Sequence, residues 1–156
     1  MKDKIKRRSN LKNYTSLFVH TEGERFYNIT NEIKRSLKDI LEEKIDNPVS
    51  GILHLFITHT SCGLTINESF DPKALTDMEN FLKNVAPRNS SFITHIDEGP
   101  DDSPSHMKSM LVNQSISLIV DAKEIVLGTW QGIFLAEFRD PPKKREVILK
   151  FVADNN

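Results

Sequence analysis

The period of the apolar positions changes several times along the chain, and each change marks an element. From Asn13 to Thr21 (NYTSLFVHT) apolar and polar side chains alternate among β-formers, the period of a strand with one buried face. EGERF after it reads as a turn leading out. The period then lengthens: Thr30 is placed to cap a helix, Glu32 suits its positive end, and Ile33, Leu37, Ile40, Leu41 and Ile45 recur on one face. DNPVSG ends that helix with its Pro and Gly. Gly51 to Thr60 predicts a second long strand, and GLTINES a third strand or a bulged continuation.

Asp71-Pro72 is a helix start, a capping side chain followed by proline at the first helical position. Ala74, Leu75, Met78, Phe81, Leu82 and Val85 mark its predicted buried face, and Pro87 closes it. Arg88 to Ser103 is polar and acidic, a loop long enough to carry function. Ser103-Pro104 repeats the cap-plus-proline signal, so PSHMKSMLV predicts a short helix with His106 in its first turn. SISLIVD, EIVLG, GIFLAEF and REVILKFV then read as strands, with turns at Ala122-Lys123, Gly128-Thr129 and DPPKK. Two or three helices among strands, followed by a run of hairpins, predict an α+β fold rather than a parallel βαβ array.

Composition narrows the setting. The 156 residues, 28% charged and 38% hydrophobic, suit one globular domain with its own core. We expect residues 1–10, which include the basic MKDKIKRR, to form a disordered N-terminus, and 11–156 to form the domain. A net charge of −1 argues against a nucleic-acid or membrane surface. The basic opening lacks the apolar core of an export signal, and no run reaches the ~18 apolar residues of a spanning helix. The lone Cys62 cannot form an internal disulfide, which fits a reducing cytosol, so a cytoplasmic protein is expected.

The opening of GLTINES is preceded by HTSC, where a plain core strand would continue with Val or Ile. His59 sits there, His95 in THIDEG and His106 in DDSPSH. Three imidazoles with an open fourth position describe a catalytic zinc-type site. Their separation means that only the fold could assemble it; otherwise they are scattered loop histidines. His20 and His54 lack polar company and read as surface or strand-edge residues. Cys62 is either a nucleophile or, more commonly for a small thiol beside Gly63, an inert packed side chain. Thr60 and Ser61 are candidate donors to an anion, or satisfy backbone where the strand ends.

Glu68, next to Asn67, is a candidate base or a partner orienting a histidine, or simply a carboxylate near a helix start. Asp97, Glu98, Asp101 and Asp102 suit a hard cation such as Mg²⁺, or form a solvated loop. In LGTWQGIFLAEF, Trp130 stands between Gly128 and Gly132, with Thr129 and Gln131 adding hydrogen-bonding capacity. It suits a stacking wall for a flat heterocycle, a hairpin anchor or an interface. Arg145, which opens a strand, is the candidate phosphate clamp, with Lys143 and Lys144 in the solvated turn before it.

Taken together, HTSCGLTINES, THIDEG, SPSHMKSMLV and LGTWQGIFLAEF with the later arginine resemble the YjbQ-like family, the secondary thiamine-phosphate synthase family. The resemblance spans about Tyr14 to Val152, with the motifs in family order. It implies an α+β subunit with a two-sheet β-sandwich and helices, assembled as a homotrimer around a threefold axis. It implies transferase activity in thiamine biosynthesis: hydroxymethylpyrimidine diphosphate joined to hydroxyethylthiazole phosphate with release of diphosphate.

The family's histidines fall on His59, His95 and His106, which we expect to hold a divalent metal, Zn²⁺ or Mg²⁺, and to act catalytically with Glu68. Thr60, Ser61, Asn67, Trp130, Gln131 and Arg145 are the expected binding residues for a small phosphorylated heterocycle, and Glu137 also matches. No organic cofactor is expected. Two segments depart from the pattern, GPDDSPSH before the helix-borne histidine and RDPPKKR after Glu137-Phe138. The alternative is a non-catalytic oligomeric module that binds a metal or an anion.

Overall fold

A computed structural model describes residues 13–42 and 50–154. The basic segment 1–10, Ile45 and most of DNPVSG lie outside the described residues. Eight strands and three helices are formed there: β1 Thr15–Thr21, β2 Arg25–Asn28, α1 Thr30–Glu42, β3 Gly51–Ile57, β4 Cys62–Glu68, α2 Pro72–Val85, α3 Asp102–Ser109, β5 Ser115–Asp121, β6 Glu124–Ile125, β7 Gln131–Glu137 and β8 Lys143–Ala153. Every strand pair is antiparallel. One sheet runs β1-β8-β3-β5-β6 and the other β2-β7-β4.

Alternation explains how the two sheets share a core. Leu53, Leu55 and Ile57 of β3, with Val147 and Leu149 of β8, face Leu64 of β4 and Ile133 and Leu135 of β7 in one buried cluster. Ile33, Leu37 and Leu41 bring α1 into it, as their spacing predicts. The other face of β7 presents Ala136, and Phe138 just past its end, to Leu82 of α2. The outer face of the five-stranded sheet keeps Phe18, Phe56, Ile119 and Val152 half exposed.

Several expected boundaries move for tertiary reasons. The predicted turn EGERF shortens, because Arg25–Asn28 pairs with β7 and Phe26 meets the Phe134 ring edge-on. Thr30 is not the cap of α1: Asn28 Oδ1 accepts its N–H at 3.1 Å, and the Thr30 hydroxyl accepts from Ile133 N–H instead, tying α1 to β7. Asp71 caps α2 as predicted, accepting from Lys73 N–H at 2.9 Å. Of that helix's predicted face only Leu82 is buried; Phe81 and Val85 are exposed because the sheet beneath α2 has only three strands.

The helix expected from Ser103 begins at Asp102 and ends at Ser109, which moves His106 beyond the first turn. EIVLG yields only the two residues of β6, reached through Ala122 and Lys123 at φ 48° and 71°. Two successive positive φ values match the twist of a tight hairpin turn.

Candidate functional site

Two of the three expected histidines come together, around a carboxylate. His95 arrives on the polar loop and His106 on α3, and Asp102 stands at the start of that helix, one turn before His106. His95 Nε2 is 2.6 Å from Asp102 Oδ2, and His106 Nε2 is 3.5 Å from Asp102 Oδ1. One ligand atom from each of the three lies within 4.8 Å of the others. The two imidazole side chains are 55% and 39% exposed while the carboxylate between them is 3% exposed, so the group opens to solvent on the histidine side.

The tautomer of His106 follows from its neighbour. Nδ1 is 2.9 Å from the carbonyl oxygen of Thr60, which can only accept, so the neutral ring carries its proton on Nδ1 and a lone pair on Nε2. Ser109 Oγ donates to the same carbonyl, fixing the end of HTSC against α3. Asp102 Oδ2 is buried, has no hydrogen-bond partner among the described residues, and faces the Nε2 atom of His95 without the alignment of a hydrogen bond. A buried carboxylate oxygen left in that condition is the kind of atom a cation satisfies.

Arg139 supports the carboxylate from behind. Its Nε donates to Asp101 Oδ2 at 2.9 Å, its Nη2 to the Glu98 carbonyl at 2.9 Å, and its Nη1 to Asp102 Oδ1. Burial pushes the Asp101 carboxyl up, but Asp140 N–H, its own backbone N–H and Arg139 outweigh that and leave it below the usual carboxylate range. Asp101 and Asp102 are buried rather than solvated, unlike the exposed Asp97 and Glu98. Lys108 lies two residues past His106, on the opposite face of α3, and is 1% exposed with its ammonium on Glu24. Glu24 also holds Arg88 at 2.8 Å, and Arg88 reaches on to Asp140 at 2.9 Å.

His59 stands outside the histidine–aspartate group. Its Nε2 accepts the Glu146 N–H at 2.9 Å, which takes up one of its two possible ligand atoms. Burial, then the Arg145 charge, lowers its pKa from the ordinary 6.5. Arg145 is buried between the sheets, with Nε and Nη2 on Glu137 at 2.7 and 2.6 Å and Nη2 also on Ser61 Oγ at 3.0 Å. Glu137, 0% exposed, accepts from Thr21 Oγ1 and from the N–H groups of Phe138 and Arg139 as well. The guanidinium expected to clamp phosphate is thus held in an internal ion pair. Burial raises the Cys62 thiol to about 12, leaving it protonated and inert.

The remaining candidates lie elsewhere. Across β4 and β7 the register pairs Cys62 with Glu137 at one end and Glu68 with Gln131 at the other. At ~3.4 Å per residue those ends are about 20 Å apart. Asn67, Glu68, Trp130 and Gln131 therefore share the end away from Ser61. There Glu68 accepts from Phe70 and Asp71 N–H, Asn67 from Glu68 N–H, and Gln131 from Gly128 N–H. Trp130 packs edge-on against Phe70, ring centres 4.8 Å apart, and both rings are exposed.

Sequence reasoning weighed Asp102 chiefly as a loop carboxylate and gave Arg139, Lys108 and Glu24 no part. Charged residues read as surface by default, and only Asp101-Asp102 standing immediately before a helix start hinted otherwise. Among the described residues no helix is long and apolar enough to cross a membrane.

Comparison with known proteins agrees with the motif resemblance. Residues 15–154 match the sequence model of the family described as UPF0047 protein YjbQ-like. The UPF0047 protein YjbQ of Escherichia coli O157:H7 is 39% identical over 133 residues, 85% of this chain and 92% of that protein. Its namesake in Salmonella typhimurium is 41% identical over 124 residues, covering 79% and 85% of the two chains. Among solved structures, a conserved hypothetical protein from Thermus thermophilus superposes with a TM-score of 0.76 at 35% identity, covering 88% of this chain and 99% of the other. An uncharacterised YjbQ/UPF0047 protein from Clostridium acetobutylicum gives 0.75 at 31% identity over the same shares.

Proposed function

This chain belongs to the UPF0047 YjbQ-like family, and on that premise we propose that it is a metal-dependent transferase of the secondary thiamine-phosphate synthase type, joining hydroxymethylpyrimidine diphosphate to hydroxyethylthiazole phosphate. The observation that carries the reading is the buried Asp102 Oδ2, without a hydrogen-bond partner and 2.6 Å from His95 Nε2, with the His106 Nε2 lone pair close by. Two imidazole nitrogens and one carboxylate oxygen suit Zn²⁺ or a similar transition metal better than Mg²⁺, which prefers oxygen ligands throughout. His95, Asp102 and His106 would hold the ion, which when bound supplies positive charge to the oxygens of a departing diphosphate.

The chain's own groups support that chemistry in stated ways. The Thr60 carbonyl holds the His106 ring so that Nε2 points at the carboxylate. Thr60, exposed in the connection between β3 and β4, offers its hydroxyl to substrate oxygens. Ser61 is buried against Arg145, whose Nη2 donates to its Oγ at 3.0 Å and holds that side chain in place. His59 is kept neutral by burial and Arg145, so it is suited to a role as positioned donor through Nδ1. Self-association through the outer face of the five-stranded sheet, where Phe18 and Phe56 stand half exposed, fits the expected homotrimer.

A second reading, a metal-binding module without turnover, is favoured by one specific observation: Glu68 and Trp130 lie about 20 Å along the sheet from the Ser61 end within one chain. A single experiment separates the two. Diphosphate release from the two substrates is measured with zinc-loaded protein and with the His106→Ala variant. Turnover in the parent protein that is lost in folded His106→Ala supports the transferase. Zinc uptake with no diphosphate release selects the module, and unchanged turnover in the variant removes the metal mechanism.

A further inference from the structure

We propose that Arg139 is the positioning residue that presents one chosen oxygen of Asp102 to the cation site; this rests on the metal reading above. A buried aspartate at the start of a helix has other options. It can chelate through both oxygens or turn back to cap the first-turn N–H groups. Arg139 works against both. Its Nη1 engages Oδ1, which leaves Oδ2 as the atom without a hydrogen-bond partner, and Oδ2 is the one 2.6 Å from His95 Nε2.

The guanidinium itself is held on several sides. Nε donates to Asp101 Oδ2 and Nη2 to the Glu98 carbonyl, both at 2.9 Å, so three acceptors from residues 98–102 fix the plane of one rigid group. Its root is fixed too, since Arg139 N–H donates to Glu137 Oε1 at 3.0 Å, the same carboxylate that holds Arg145. Asp101 occupies the N-cap position of α3 yet makes no side-chain cap bond, its carboxylate serving Arg139 and Asp140 N–H instead. The start of the helix is organised around the arginine rather than around its own capping.

The consequence is specific to geometry and not to charge. A lysine at 139 keeps the positive charge but offers one point donor, which cannot hold three acceptors in fixed directions. The test measures Co²⁺ and Zn²⁺ affinity by titration calorimetry, and the visible absorption of bound Co²⁺, for the parent protein, Arg139→Lys and Arg139→Gln. Loss of an outer-shell partner weakens metal binding by about 10–100-fold. That loss is expected in both variants, with a shifted Co²⁺ spectrum in whatever metal remains bound.

Arg139→Lys with the parent's affinity and spectrum overturns the proposal, because charge alone then suffices. If both Arg139 variants lose native circular dichroism, Asp101→Asn decides. It removes the ionic partner of Nε without touching a proposed ligand; weakening of about tenfold supports the proposal and unchanged affinity overturns it. A parent protein that takes up neither ion is a separate result, which removes the metal reading itself and the inference with it.

Discussion

His106 and Thr60, 46 residues apart, are joined by a 2.9 Å hydrogen bond from the imidazole Nδ1–H to the backbone carbonyl. That bond settles which nitrogen of His106 keeps a lone pair, and it anchors the polar end of HTSC to α3. The first prediction follows from it. The protein binds one Zn²⁺ or Co²⁺, and His106→Gln, His95→Gln and Asp102→Asn each weaken binding by more than the ~10–100-fold that outer-shell losses cost. His59→Gln leaves the stoichiometry intact, because His59 stands outside the His95–Asp102–His106 group and its Nε2 accepts the Glu146 N–H. Metal analysis of dialysed protein, followed by calorimetric titration, checks this.

His59 gives stability a pH dependence of known sign. Its folded pKa lies below the ordinary 6.5, through burial first and Arg145 second, so the unfolded chain takes up the proton more readily. Its contribution is fully present above about pH 6.5 and is lost as pH falls through the lowered folded value. The Asp101 and Asp140 carboxyls are both held below the ordinary 3.8, the latter chiefly by Arg88, so their contribution is lost in a separate, more acidic window. Urea midpoints between pH 7.5 and 5 should decline in the parent protein and flatten in His59→Gln.

Glu137→Gln should cost about 3–5 kcal/mol, the usual penalty for leaving one member of a buried ion pair without its partner. Here the orphan is Arg145, which loses the ionic partner of two hydrogen bonds between the sheets. Urea denaturation with an unchanged m-value measures the loss, and a cost under about 1 kcal/mol contradicts the assignment of this pair as a structural ion pair.

The Cys62 thiol, buried and raised to about 12, should resist iodoacetamide at pH 8 in the native protein and react once the chain is unfolded. Mass spectrometry before and after denaturation reads the outcome. Rapid native alkylation would place the thiol at the surface, against its membership of the core cluster that holds Leu64 and Ile57.

On the proposed self-association through this face, Phe18→Lys combined with Phe56→Lys should lower the mass seen by light scattering from that of an oligomer to that of one chain without unfolding it. Both side chains lie on the outer face of the five-stranded sheet, half in solvent. An unchanged mass after both substitutions excludes that face as the assembly surface.

Much of the scaffold was legible because local chemistry and long-range packing agree along it. Leu17, Val19 and Thr21 alternate in β1, Ile33, Leu37 and Leu41 recur on α1, and Asp71-Pro72 opens α2 where it should. Agreement failed where a neighbour overrode the local signal. EGERF contains a turn cue, yet Arg25–Asn28 finds a strand partner in β7. Phe81 and Val85 carry the period of a buried face, yet α2 meets a sheet of three strands that leaves them uncovered.

By itself the sequence determined the α+β class, the order of the elements apart from β2, and the polar segments from which a site could be made, because each depends on side-chain period and on residues near in the chain. The tertiary structure alone decided which of those polar groups meet. His95 and His106 close on Asp102, His59 turns its Nε2 to a backbone N–H, and Arg145 is drawn into the core by Glu137. The physical reason is burial. Whether a charged side chain is solvated, paired or left as an open ligand depends on which distant segment covers it, and no local pattern records that.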